Sequence, residues 1–311
     1  MAFQLDPRIS RLVARGAGPS SPEDFQEGDT ARLRRILDEG LAQLSALPAV
    51  SGVSDRTFTI ATGDGHWLKL RWYAKDGSTP GSAAIHFHGG AMIAGSIDLY
   101  DPLVRTYVAW TGVPMLAVDY RLAPEASAGT AASDGLAALL WLLDNARELG
   151  VDPSRIAVMG DSAGGGVAAA VALLARDRRL EIARQVLIYP MLDDRTTDAD
   201  PHLAAVPTLF SYAFNRTAWA AVLGEHAGTQ RVSPHAAPAR NTDFTGLAPA
   251  YIEVGELDIF RDEDVRYALQ LWRAGVPTEL HVHPGLPHAF DVLLMGEPRF
   301  QEGKLRVLKE L

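Results

Sequence analysis

The stretch that most limits how this chain can fold runs from Arg155 to Ala175, RIAVMGDSAGGGVAAAVALLA. A short apolar run (Ile156, Ala157, Val158, Met159) meets a cluster of small residues, and a helix-forming Ala/Val/Leu tract follows at once. Gly160-Asp161-Ser162-Ala163-Gly164 fits G-x-S-x-G, in which a serine sits on a strained turn between a strand and a helix. Such an abrupt turn leaves no room for side chains two positions either side of the serine, so both positions are glycine. The hydroxyl is pushed out at the C-terminal edge of a sheet. The next helix aims its N-terminal N–H groups and positive dipole end at whatever binds there. Gly-rich strand-to-helix turns also serve nucleotide-binding folds, so the pentapeptide alone does not decide the chemistry.

The chain has 311 residues, 47% of them apolar and 22% charged, enough for one large α/β domain with an accessory piece. A net charge of −9 argues against nucleic acid or anionic membrane as partners, because both select clustered positive charge. The basic clusters Arg32–Arg35 and Arg176–Arg179 are short and mixed with acids, as at solvated helix ends. The lack of cysteine excludes a disulfide framework, a thiol nucleophile and a cysteine-based zinc site. The N-terminus, MAFQLDPRISRLVARG, is interrupted by charge every few residues and holds no signal-peptide core. The longest apolar tract, Val167–Ala175, is far short of the ~20 residues of a membrane span. A cytoplasmic protein is the expectation.

Residues 1–50 carry a helical pattern, clearest in ARLRRILDEGLAQLSAL, where Leu33, Ile36, Leu37, Leu41 and Leu44 form one apolar stripe. Gly16–Pro22 reads as a break before it. These residues precede any strand pattern, so they read as an N-terminal cap over a catalytic domain of residues 51–311 or as a plain helix packed on its surface. From Arg56 the period changes to two. RTFTIAT and HWLKLRWYA flank Gly63-Asp64-Gly65, a hairpin signature. SAAIHF (82–87) and PMLAVDY (114–120) read as buried strands. A helix from Ser133 to Gly150, a strand at 155–159, a helix from Ala163 and a strand at 185–189 follow. Strand 250–254, a helix from Arg261 to Ala274, strand 278–282 and a C-terminal helix complete the chain. This alternation predicts an α/β fold with a mostly parallel, doubly wound sheet and helices on both faces. Segment 191–248 is too long for a simple connection. It holds Leu203, Val206, Leu209, Phe210, Tyr212, Phe214 and Trp219, enough apolar surface for helices of its own, and reads as an inserted cap element.

A serine alcohol is a poor nucleophile without a base, and the base needs an orienting acid. In sheets of this type the order is serine, acid, histidine. Of nine histidines, His281 and His283 lie on one face of the last strand, whereas His288 lies in the Pro/Gly-rich loop beyond it. Loops at C-terminal strand ends hold the chemistry of open α/β sheets, which favours His288 as base. After strand 250–254, Glu256, Asp258 and Asp262 compete as the acid. Asp258 is favoured because it falls just before a helix whose N–H groups hold a short carboxylate, although capping alone would also explain it. In HFHGGAMIAGS (86–96), Gly89-Gly90 follows a buried strand, the context of an oxyanion loop. Gly89 and Gly90 would supply two N–H donors and Ala163 a third; losing one such donor costs ~100–1000-fold in rate.

Together HGGA, DYRLAPE (119–125), GDSAGG (160–165), GELDIFRDE (255–263) and PGLPHAF (284–290) resemble the hormone-sensitive-lipase-like branch of α/β-hydrolases, the bacterial carboxylesterases. The resemblance runs from about residue 55 to the C-terminus, with the motifs in the family's order. It implies an eight-stranded sheet under a helical cap, with Ser162 as nucleophile, His288 as base, Asp258 as orienting acid and Gly89, Gly90 and Ala163 as oxyanion donors. It also implies that His88 braces the glycine loop. Four positions depart from the family's pattern. Ala91 stands where a third glycine is usual: it adds strain if its φ is positive, and otherwise narrows the acyl site. Met92 replaces an aromatic residue, Ala126–Thr130 replaces a Pro/aromatic stretch, and Ala289 rather than glycine follows His288.

The resulting expectation is a serine carboxylesterase that cleaves short-to-medium acyl esters through an acyl-enzyme. Amide or peptide cleavage by the same residues, and a non-catalytic ligand-binding relative, are the alternatives. Ala91, Met92, Leu192, Phe210 and Leu286 are candidate substrate contacts. Neither H-x-H pair, His86/His88 or His281/His283, comes with H-E-x-x-H or a carboxylate at ligand spacing, so no metal and no cofactor is expected. The expected partner is a small-molecule ester, with neither nucleic acid nor membrane; a homodimer stays open.

Overall fold

The computed structural model describes residues 3–14, 25–79, 81–203 and 209–311. The expected break at Gly16–Pro22 and the expected cap residue Val206 lie outside them. Eight strands form one sheet in the order β1-β2-β4-β3-β5-β6-β7-β8. They are β1 (Val53–Ala61), β2 (Trp67–Lys75), β3 (Ala83–Phe87), β4 (Met115–Val118), β5 (Ile156–Asp161), β6 (Arg184–Ile188), β7 (Ala250–Gly255) and β8 (Thr278–His283). β1 pairs antiparallel with β2, and β2 with β4; every later pairing is parallel. The predicted doubly wound sheet with a leading hairpin is therefore the observed one.

The helices are α1 (Pro7–Val13), α2 (Thr30–Ala42), α3 (Asp101–Thr111), α4 (Thr130–Asn145), α5 (Ala163–Asp177), α6 (Tyr212–Leu223), α7 (Arg261–Arg273), α8 (Phe290–Leu293) and α9 (Glu302–Lys309). Strand alternation divides the core into two layers. Ile85, Phe87, Leu116, Val118, Val158 and Leu187 face α4, α5 and α7. Ala84, Met115, Ala117, Met159, Val186 and Ile188 face α3, α9, α1 and α8. With both faces covered, β3 to β7 are buried along nearly their whole length, which is why they read as apolar runs rather than alternating ones. Among the described residues, no helix is long and apolar enough to cross a membrane.

Two expected boundaries shift. α4 starts at Thr130, after Gly129 at φ 82°, and ends at Asn145 rather than running from Ser133 to Gly150. α3 has no counterpart among the expected elements, although its signals are present: Pro102 in the first turn, Leu103, Val104, Tyr107 and Val108 on the buried face, and Gly112 as a left-handed stop. Segment 191–248 does form a helix of its own, α6, which packs against the N-terminal region. The Phe25 and Phe214 rings meet edge to face at 4.7 Å, and Gly28 N–H donates to Thr217 Oγ1 at 2.9 Å.

Candidate active site

β5 ends on Asp161 and α5 begins on Ala163, so Ser162 takes the whole reversal, at φ 54° and ψ −124°. For a residue with a Cβ, that costs roughly 1–2 kcal/mol. The turn is held against β6: Ser162 N–H donates to Ile188 O at 2.8 Å, and its carbonyl accepts from Met191 N–H at 2.9 Å. The two glycines of the motif are spatial necessities. A Cβ on Gly160 would lie 2.3 Å from Gly164 O, and one on Gly164 2.0 Å from Phe87 O.

His288 approaches from the loop after β8. Its Nε2 lies 2.9 Å from Ser162 Oγ, and its Nδ1–H donates to Asp258 Oδ2 at 2.7 Å. Asp258 stands in the turn between β7 and α7, where its Oδ1 accepts Phe260 N–H at 3.0 Å. One oxygen orients the histidine and the other caps the turn, so the two explanations open at the sequence level hold together. The competing acids are engaged elsewhere: Glu256 accepts Gly285 N–H at 2.9 Å, and Asp262 pairs with Arg261 at 2.8 Å. The His288 ring is packed by Tyr189, Phe260 and Phe210 at centroid distances of 4.7, 5.3 and 5.5 Å. Packing on these sides fixes the plane of the imidazole and keeps water from the Asp258 contact. Ala289, where glycine is usual, takes φ 58°.

The loop after β3 completes the site. His88 Nδ1–H donates to Gly89 O at 2.8 Å, and the ring stacks on Tyr120, whose hydroxyl donates to His88 O at 2.7 Å. Gly90, Ala91 and Met92 all have positive φ, at 120°, 56° and 59°. Ala91 thus takes the strained alternative. The N–H of Gly89, like those of Gly90 and Ala91, has no backbone acceptor among the described residues. Tyr100 donates to Asp161 Oδ2 at 2.6 Å, beside the nucleophile. Burial pushes the Asp161 carboxyl up to about 7, against the lowering effect of that hydrogen bond. Burial likewise pulls His86, 3.7 Å from Asp161, down to about 3, so its imidazole is neutral.

Ser162 and His288 open into a cavity of about 300 Å³. Its floor is Gly89, Gly90, Ala91, Tyr100, Asp161 and Tyr189. Its apolar walls are Leu12, Leu37, Leu41, Leu44, Leu47, Leu209, Phe210, Val292 and Leu293, and among the described residues no lysine or arginine lines it. Of the expected substrate contacts, Ala91 and Phe210 line the cavity. Met92, Leu192 and Leu286 are not among its lining residues. Met92 is buried with its carbonyl accepting Ala123 N–H, Leu192 is buried with its N–H on Glu263, and Leu286 packs its carbonyl against Gly255. Ala163 is buried directly behind the nucleophile and outside the cavity lining. Leu37, Leu41 and Leu44 were visible in the sequence as an apolar stripe, but a stripe alone does not distinguish a helix packed on a core from one roofing a cavity.

A family model for the alpha/beta hydrolase fold matches residues 84–292. The chain belongs to the α/β-hydrolase family, in its hormone-sensitive-lipase-like branch. This hydrolase is 34% identical to ethyl acetate hydrolase of Pseudomonas putida, over 99% of both chains. It is 37% identical to carboxylesterase NlhH of Mycobacterium tuberculosis over 73% of its own length and 72% of that protein's. Among solved structures it resembles a bacterial heroin esterase with a TM-score of 0.87 and 34% identity, covering 99% of this chain and 98% of that one.

Proposed function

We propose that this hydrolase cleaves uncharged carboxylic esters of short-to-medium acyl chains at Ser162, under a cap made of residues 1–50 and 191–248. The observation that carries the reading is the unbroken relay from Asp258 through His288 to Ser162, at 2.7 and 2.9 Å. In it, His288 Nε2 accepts the Ser162 proton as Oγ attacks the ester carbonyl, and Asp258 stabilises the imidazolium that forms. His288 then protonates the leaving alcohol, and water repeats the sequence on the acyl-enzyme. The oxyanion is held by N–H groups at the start of α5 and in the loop after β3. The three donors first expected, Gly89, Gly90 and Ala163, keep that role in this reading, and the N–H of Ala91, which lines the same cavity, joins them. The absence of lysine and arginine from the lining among the described residues supports an uncharged substrate, and the volume of about 300 Å³ supports a modest acyl chain. Ser162→Ala brings hydrolysis of p-nitrophenyl butyrate to the background rate; a variant that keeps the wild-type rate overturns the assignment.

A further inference from the structure

α2 touches both the cavity and the loop that bounds it. Leu37 and Leu41 line the cavity. Arg34 and Asp38, on the same stripe of the helix, reach the far end of the loop after β3. Arg34 Nε donates to Ile93 O at 2.5 Å and its Nη2 to Ala123 O at 2.6 Å, while Asp38 Oδ1 accepts Gly95 N–H at 2.9 Å. Arg34 also forms a two-pronged pair with Glu125, at 2.8 and 2.6 Å. Ala123 N–H donates to Met92 O at 2.9 Å, so the loop is gripped from two sides. Ala91 lies directly before these ties and Met92 carries one of them, and both are non-glycine residues in the left-handed region. Such conformations persist only where the surroundings over-determine them.

We infer that Arg34 and Asp38 are positioning residues for the oxyanion loop: α2 holds Gly90 and Ala91 in the left-handed conformation that turns their N–H groups to the substrate. The inference rests on the reading of this loop as the oxyanion site. It makes α2 a part of the transition-state machinery as well as a wall of the cavity. A chain with glycine at position 91 would take the same φ without help. The latch therefore matters because residue 91 carries a Cβ at positive φ.

The test is a double-mutant cycle on p-nitrophenyl butyrate hydrolysis in the full chain. Arg34→Ala lowers kcat by about 10- to 100-fold while KM changes by less than about threefold, because an oxyanion donor is misplaced and ground-state contacts are not. The same substitution made in an Ala91→Gly background costs at least about fivefold less, because glycine adopts the required φ unaided. An equal loss in both backgrounds, or a loss confined to KM, overturns the inference and leaves Arg34 as an anchor of the cap. Asp38→Ala, which cuts the other tie, gives the same pattern and carries the comparison if Arg34→Ala does not fold by circular dichroism. Labelling by a fluorophosphonate separates the two levels. A wild-type protein that fails to label at Ser162 removes the site reading itself, whereas labelling without rescue by Ala91→Gly removes only the latch.

Discussion

Asp258 offers a different oxygen to each of two partners, Oδ2 to His288 Nδ1 at 2.7 Å and Oδ1 to Phe260 N–H at 3.0 Å. The second contact fixes the carboxylate so that the first is made without freezing a free rotamer during the reaction. Asp258→Asn keeps the shape and the cap but removes the charge that stabilises imidazolium. The expected loss in kcat is about 10⁴-fold, the scale seen when a triad aspartate becomes asparagine. Glu256→Gln, which leaves the relay untouched, costs less than about tenfold. Steady-state kinetics of the two variants on one ester decides between these carboxylates.

Asp161 makes the stability of the protein pH-dependent in a defined direction. Burial raises its folded pKa from 3.8 to about 7, so unfolding releases a proton between those values. Its contribution is fully present below pH 3.8 and is lost as pH rises to about 7. Asparagine cannot ionise. The difference in Tm between Asp161→Asn and wild type therefore moves in favour of the variant from pH 5 to 7 and levels off above. A constant offset across that range would show that Asp161 does not titrate there.

Lys304 is fully buried and bridges Glu253 on β7, at 2.7 Å, and Asp291 in α8, at 3.1 Å. Asp291 also accepts the Tyr189 hydroxyl at 2.5 Å, and Tyr189 packs on His288. α9 thus ties the strand leading to the acid to the loop bearing the base. Burial lowers the Lys304 pKa, but the two carboxylates more than reverse that and hold it raised. Lys304→Met strands two buried carboxylates and is expected to cost ~3–5 kcal/mol in urea denaturation. Replacing all three, as Lys304→Met with Glu253→Gln and Asp291→Asn, recovers most of that loss. A single variant as stable as wild type would refute the bridge.

The cavity predicts selectivity. Leu41 on α2 forms part of its apolar wall, so Leu41→Ala lengthens the space for an alkyl chain. The ratio of kcat/KM for octanoate over acetate esters rises by about tenfold or more, since one methylene in an apolar pocket discriminates by ~1–3 kcal/mol. An unchanged ratio places the chain-binding wall elsewhere in the cavity.

The fold and the chemistry were legible in the sequence wherever a local constraint forces a residue type. Gly160 and Gly164 are required by the closeness of neighbouring backbone, the buried strands by apolar runs, and the order of Ser162, Asp258 and His288 by the winding of the sheet. The serine elbow, the doubly wound sheet with its leading hairpin and the preference for Asp258 over Glu256 and Asp262 all come from such constraints. Met92, Leu192 and Leu286 show where this stops: each is apolar and adjacent to a motif, yet packing turns each of them away from the cavity. The grip of Arg34 and Asp38 on residues 93–95 was equally invisible, since contacts between segments nearly sixty residues apart leave no periodicity to read. Local sterics and hydrophobic period are written along the chain, whereas the direction a side chain faces, and the partner it meets, follow from how the layers dock.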